Sequence, residues 1–200
     1  MRVVATPSSR MMDSRAPILA SRFEPITVAE WLESPEVPEY SELHQGMIVL
    51  RPMPDTHHQL VLTPIAGALL LAGRAVNGVA VAAPTAVRFG PYDAYEPDIL
   101  YLSPERTHLM RRRMVDGPPD IVVEVSSPST RMYDLRTKLP AYLAGGVREV
   151  WIADPVAKTV SVYEPGLDEP RVAAFGERIP SNIVEVGTAG LERLPPSAPD

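Results

Sequence analysis

The chain has 200 residues, enough for one compact domain with a sizeable core, and its apolar content is ordinary for a globular protein. Without cysteine it can hold neither disulfides nor thiolate metal sites, and no unbroken apolar stretch reaches the roughly 20 residues needed to cross a bilayer as a helix. A net charge of −6 argues against coating nucleic acid by bulk electrostatics, though it leaves room for a local basic surface.

Residues 1–22 show no periodicity and are expected to form a flexible leader, with a single domain over 23–194 and a proline-rich tail over 195–200. Arg2, Arg10 and Arg15 are not followed by the apolar core of a secretory signal, so a cytoplasmic protein is expected. In "ITVAEWLESPE", Thr27 and Glu30 have the spacing of a capping box, which predicts a short helix that Pro35 stops. "EYSELHQGMIVLRPM" predicts two strands about a Gln45-Gly46 turn. "THHQLVLTPIAGALLLAGRAVNG" predicts a long helix with Leu62, Ile65, Leu69 and Ala72 on one stripe and Asn77-Gly78 as its left-handed stop. Pro64 should either kink that helix or begin a second segment. Short strands are expected at 79–83, 86–89 and 97–102, then a basic loop, "PERTHLMRRRM", and a strand at 120–126. "SPSTRMYDLRTKLPAYLAGG" predicts a second long helix with a Ser or Thr cap, ended by Gly145-Gly146. "REVWIAD", "TVSVYEP" and "RVAAF" predict further strands. The order predicts an α/β or α+β domain with one mixed sheet and few helices. No glycine-rich nucleotide-binding turn or phosphate loop is present.

"PPDIVVEVSSPST" sets one acid, Glu124, in a run of β-branched residues. Side chains alternate along a strand, so Ile121, Val123 and Val125 form an apolar face that packs on a helix, while Val122, Glu124 and Ser126 face the other way. A second acid, Asp98, opens the apolar strand "DILYL". Two carboxylates on neighbouring strands repel unless a cation lies between them, and one or two carboxylates with water and phosphate are what Mg²⁺ prefers. Lys138, on the following helix, is close enough in the chain to fold back over Glu124. Each residue also has a structural explanation: Asp98 as a strand-entry cap, Glu124 as an edge-strand acid, Lys138 as the i+4 partner of Asp134.

"EPDILYL" followed by "PPDIVVEVSSPSTRMYDLRTKLPAYLAGGVREVWIADP" resembles the Uma two family of restriction endonucleases, a branch of the PD-(D/E)XK nuclease superfamily. "YSELHQGMIVLRPMPDTHHQ" is similar to the upstream part of the family pattern, and the resemblance covers roughly residues 25–165. It implies a restriction-endonuclease-like α/β core, a central mixed β-sheet flanked by helices, with extra antiparallel strands. It also implies metal-dependent phosphodiester hydrolysis. It places the superfamily's first acid on Asp98 and its second on Glu124; Ser126 stands where the usual lysine would be, and Lys138 takes that role from the helix. Glu42 matches an additional upstream acid. Gln45 and Met47 replace acids around Gly46, and Pro140 sits inside the helix that carries Lys138, where it should bend it.

On this expectation Asp98, Glu124 and the Val125 carbonyl hold Mg²⁺ or Mn²⁺, and Lys138 orients the attacking water or neutralises the phosphate. Arg111, Arg112, Arg113, Arg131 and Arg136 then grip the DNA backbone. His58 is a further candidate through the family pattern, although the adjacent His57 would point elsewhere on a helix. The serines of "SSPST" read as helix caps and Trp31 and Trp151 as core or rim aromatics. Two alternatives stay open: a nuclease fold with a decayed site that binds nucleic acid or a partner, and a metal-dependent hydrolase of another phosphoester. A homodimer is expected on symmetry grounds, since two cuts on duplex DNA suit a two-fold assembly.

Overall fold

The structure, a computed structural model, describes residues 24–38 and 40–194 together with the backbone of Leu19–Ala20. The rest of the expected leader and the expected tail at 195–200 lie outside the described residues. Twelve strands are present among the described residues: β1 (Leu19–Ala20), β2 (Ser41–His44), β3 (Met47–Leu50), β4 (Val79–Ala82), β5 (Ala86–Arg88), β6 (Ala94–Tyr95), β7 (Ile99–Leu102), β8 (Met114–Asp116), β9 (Ile121–Val125), β10 (Glu149–Asp154), β11 (Thr159–Tyr163) and β12 (Arg171–Ala174). The α-helices are α1 (Val28–Glu33), α2 (Thr56–Ala75), α3 (Arg131–Tyr133) and α4 (Leu139–Ala144), the last two joined by a π-helical turn at Asp134–Lys138.

The expected mixed sheet is accompanied by a second one. The first sheet has the order β1-β3-β2-β6-β5-β8, and the second β12-β11-β10-β9-β7-β4. Each is antiparallel except for one parallel pair, β5 with β8 and β9 with β10. The second sheet is the predicted core. The "extra" strands form the first, in which β6 joins β2 to β5 and β8 lies at the edge; both are too short to show a period in sequence. Two residues of the expected leader, Leu19 and Ala20, pair with Val49 and Ile48.

Local chemistry accounts for most elements. Thr27 and Glu30 close the predicted capping box on α1. The β2–β3 hairpin turns through Gln45 and Gly46, both in the left-handed region, as a tight hairpin of this hand requires. Helix α2 is one uninterrupted helix despite Pro64, because the proline lies on its exposed side, where water can satisfy the carbonyl freed one turn earlier. Its stripe of Val61, Leu62, Ile65 and Leu69 packs on Ile121, Val123 and Val125 of β9, the largest apolar cluster. Each such side chain contributes roughly 1.5–3 kcal/mol on burial. The opposite face of the second sheet carries Val122, Val150 and Ile152 against Leu139 and Tyr142. Leu100 and Leu102 on that same sheet meet Val87 and Val115 of the first. The sheets therefore meet on the side of β9 that bears Glu124.

Candidate active site

Seven elements converge where the two sheets adjoin, at the carboxyl end of β9: β2, the end of β3, α2, the start of β7, β9, the π-helical turn and α4. In the antiparallel register of β7 and β9, Ile99 pairs with Val123, so one step further Asp98 stands across from Glu124. The Asp98 carboxylate accepts the Val125 N–H at 2.7 Å and the His58 Nε2–H at 3.0 Å, both on Oδ2, and Arg51 Nη2 lies 3.4 Å from Oδ1. Glu124 receives the Lys138 ammonium at 2.7 Å and the Tyr142 hydroxyl at 2.6 Å, both on Oε1. Glu42 comes from β2 in the first sheet; its Oε1 accepts Lys138 Nζ at 2.9 Å and the Glu96 N–H at 2.9 Å. Lys138 therefore bridges an acid of each sheet, and Arg51, just past β3, does the same between Glu42 and Asp98.

Pro140 does not spoil the aim of Lys138. Lacking an N–H, it cannot bond to residue 136, and the preceding turn widens so that the Leu139 N–H reaches the Asp134 carbonyl, five residues back. Lys138 lies in this wide turn and points into the junction. Its partners are Glu42 and Glu124, in place of the surface pairing with Asp134 that helical spacing alone allows.

The electrostatics follow from burial. Glu42, Asp98, Glu124, Asp134 and Lys138 are all buried. Burial pushes the Glu124 carboxyl up to about 8; the Lys138 charge opposes this, while Asp98 and Asp134 add to it. Burial raises Asp134 and Glu96 as well. At Asp98 burial is outweighed by the His58 hydrogen bond and by the charges of His58, Arg51 and Lys138, so this carboxyl titrates below its usual range. Burial disfavours the Lys138 charge, but Glu124 and Glu42 more than offset it and raise its pKa; Arg51 is raised in the same way by Glu42, Glu124 and Asp98. Asp98 is thus the firmly ionised acid and Glu124 the reluctant one.

Whether the residues suit a divalent cation turns on charge and donor type. Four carboxylates, those of Glu42, Glu96, Asp98 and Glu124, face two cations, Arg51 and Lys138, and the buried Oε2 of Glu42 has no hydrogen-bond partner among the described residues. Oxygen donors and surplus negative charge are what Mg²⁺ or Mn²⁺ requires. Among the described residues no three acidic or histidine side chains form a ready metal cage. Mg²⁺ does not need one, since one or two carboxylates with water and phosphate suffice. The residues fit the ion.

The other expected residues are spread more widely. Arg111, Arg112 and Arg113 are exposed and line a cleft of about 310 Å³ that also includes Glu96, so the basic loop adjoins the junction. Arg111 donates to the carbonyls of His108 and Met110, and Arg113 to that of Leu32. Arg131 pairs with Asp154 at the same end of β10, and Arg136 is exposed on the π-helical turn. Ser127 Oγ hydrogen-bonds Ser129 and Thr130 and accepts the Thr130 N–H in the turn ahead of α3, whereas the N-cap of α3 itself, Thr130, makes no side-chain capping bond. Trp31 and Trp151 are buried. Three contributors are not evident from sequence reasoning: Arg51, Glu96 and Tyr142. The signals exist in retrospect. Arg51 is in phase with the buried Val49 on its strand, and Tyr142 follows Lys138 by one helical turn.

A mixed sheet with two acids at the ends of adjacent strands, a second sheet and flanking helices define a nuclease-type α/β fold. The chain matches the family described as "Putative restriction endonuclease", Uma2, over residues 28–192, and it belongs to that family. It is also similar to a crystal structure described as "a putative nuclease belonging to DUF820 from Anabaena variabilis", with 25% identity and a TM-score of 0.66 over 78% of this chain and 89% of that one. No curated protein matches the chain. Among the described residues no helix is long and apolar enough to cross a membrane.

Proposed function

We propose that the chain is a divalent-metal-dependent endodeoxyribonuclease of the cytoplasm that hydrolyses DNA phosphodiester bonds where Asp98, Glu124, Lys138 and Glu42 converge. The observation that carries the reading is the pairing of Asp98 across from Glu124 on neighbouring strands, with more buried carboxylate than buried cation around them. Membership of a restriction-endonuclease family supports it. Asp98 and Glu124, with the Val125 carbonyl, would hold Mg²⁺ or Mn²⁺. A bound ion of this kind supplies charge for the phosphate oxygens and lowers the pKa of a water. The protein does the placing. His58 and the Val125 N–H fix Asp98, Tyr142 and Lys138 fix Glu124, and the Lys138 ammonium adds positive charge to the hollow.

Arg111, Arg112, Arg113, Arg131 and Arg136 would contact the DNA backbone, which positions the duplex without reading its sequence. A homodimer would present two such sites to the two strands. The test is plasmid nicking in Mg²⁺ or Mn²⁺. The wild type should cleave, EDTA should stop it, and Asp98→Ala and Glu124→Ala should each lose activity by at least about 100-fold. Equal nicking by all three proteins would sink the reading.

A further inference from the structure

The geometry points to Arg51 as the group that grips the scissile phosphodiester, an assignment that rests on the nuclease reading above and gives that site its contact with substrate. Two cations stand among the same acids, but at different depths. The Lys138 side chain is 2% exposed, and two carboxylates hold it at 2.7 and 2.9 Å, so its ammonium is committed to them. The Arg51 side chain is 20% exposed, so of the two cations it is the one that reaches solvent.

Arg51 is also balanced in charge without being locked. Its one short hydrogen bond runs from Nη1 to the Glu96 carbonyl at 2.7 Å. Its distances to the carboxylates of Glu96, Glu42 and Asp98 are 3.6, 3.6 and 3.4 Å, beyond the roughly 2.7–2.9 Å of a charge-assisted hydrogen bond. An arginine that serves only to tie elements together looks different here. Arg88 holds Asp116 at 2.5 and 2.7 Å through two nitrogens. The Arg51 N–H donates to the Tyr40 carbonyl at 2.7 Å, extending the hairpin pairing by one residue, so the side chain starts from a rigid strand end. A planar guanidinium anchored at one nitrogen, with its remaining N–H groups in long contacts, matches the two non-bridging oxygens of a phosphodiester; an ammonium does not.

Arg51→Gln and Arg51→Lys test this against wild type, with cleavage kinetics, affinity for a labelled duplex in Ca²⁺, Mn²⁺ calorimetry and thermal melts. Arg51→Gln should lower kcat about 100-fold, the scale of losing one transition-state donor, and weaken duplex binding about tenfold. Mn²⁺ should bind it no more weakly than wild type, since a positive neighbour has been removed. Arg51→Lys should recover part of both losses, because charge returns without the fork. Wild-type kcat in folded Arg51→Gln overturns the inference and leaves the nuclease reading standing. Lost cleavage together with weakened Mn²⁺ binding also overturns it, because Arg51 would then only hold Asp98 and Glu42 in place. If Arg51→Gln does not fold, full activity in folded Arg51→Lys overturns it alone. A wild type without metal-dependent cleavage removes the nuclease reading and the inference with it.

Discussion

Replacing Lys138 by Met tests whether the ammonium is held between two buried carboxylates. Methionine fills the volume of the lysine stem, so the change removes charge without leaving much of a cavity. Removing one partner of a buried ion pair costs about 3–5 kcal/mol, because it strands a buried charge. Here two features soften the loss at neutral pH. Glu124, already pushed up to about 8, can keep its proton, and Glu42 retains the Glu96 N–H at 2.9 Å and Arg51 at 3.6 Å. The expected destabilisation is therefore near the lower end, about 3 kcal/mol, a fall in Tm of roughly 6–12 °C for a domain of this size. Urea unfolding in EDTA at pH 7 measures it. The double variant Lys138→Met/Glu124→Gln should recover at least about 1 kcal/mol relative to the sum of the single changes, since both break the same 2.7 Å contact and the double variant loses it only once. A loss below about 1 kcal/mol for Lys138→Met, the scale of an exposed ion pair, would refute the buried bridge.

Further outcomes follow from the same contacts. In metal-free buffer the folded protein keeps a proton on Glu124 between its ordinary value of 4.5 and about 8, where the unfolded chain has released it. Stability therefore falls as pH rises through that window, by up to about 1.4 kcal/mol per unit. Glu124→Gln lacks this dependence, so its stability relative to wild type should climb from pH 5 to 8 in urea titrations; parallel curves would contradict the raised carboxyl. Tyr142→Phe removes a 2.6 Å hydrogen bond to Glu124 and should cost about 0.5–1.5 kcal/mol, measured by chemical denaturation at pH 7 in EDTA, and lower cleavage without changing the DNA bound. An unchanged cleavage rate would mean that Glu124 needs no help from Tyr142.

Much of this arrangement was legible where the period is long or the cap specific. The stripe of α2 and the alternation of β9 involve enough residues to show a repeat, and the Thr27–Glu30 capping box has a specific spacing. The division into two sheets was not, because it rests on β6, only two residues long, which joins β5 to the distant β2. The acids Asp98 and Glu124 stood out because charge in an apolar strand is costly and asks for a reason. Arg51 did not, since it lies at the end of "EYSELHQGMIVLRPM" and no local pattern there tells which distant acids it meets. Pro140 read as a bend because proline removes a hydrogen bond; the widened turn that absorbs the loss lies beside tertiary contacts of Lys138 and Tyr142 that no local pattern carries.

Crystals of the protein soaked in Mn²⁺, with anomalous scattering to locate the ion, test the central claim most directly. The account predicts one Mn²⁺ ligated by Asp98 and Glu124, with the Lys138 amine still against Glu124 and Arg51 facing the open side. Manganese bound elsewhere, or those two carboxylates turned to opposite faces of the second sheet, would contradict it.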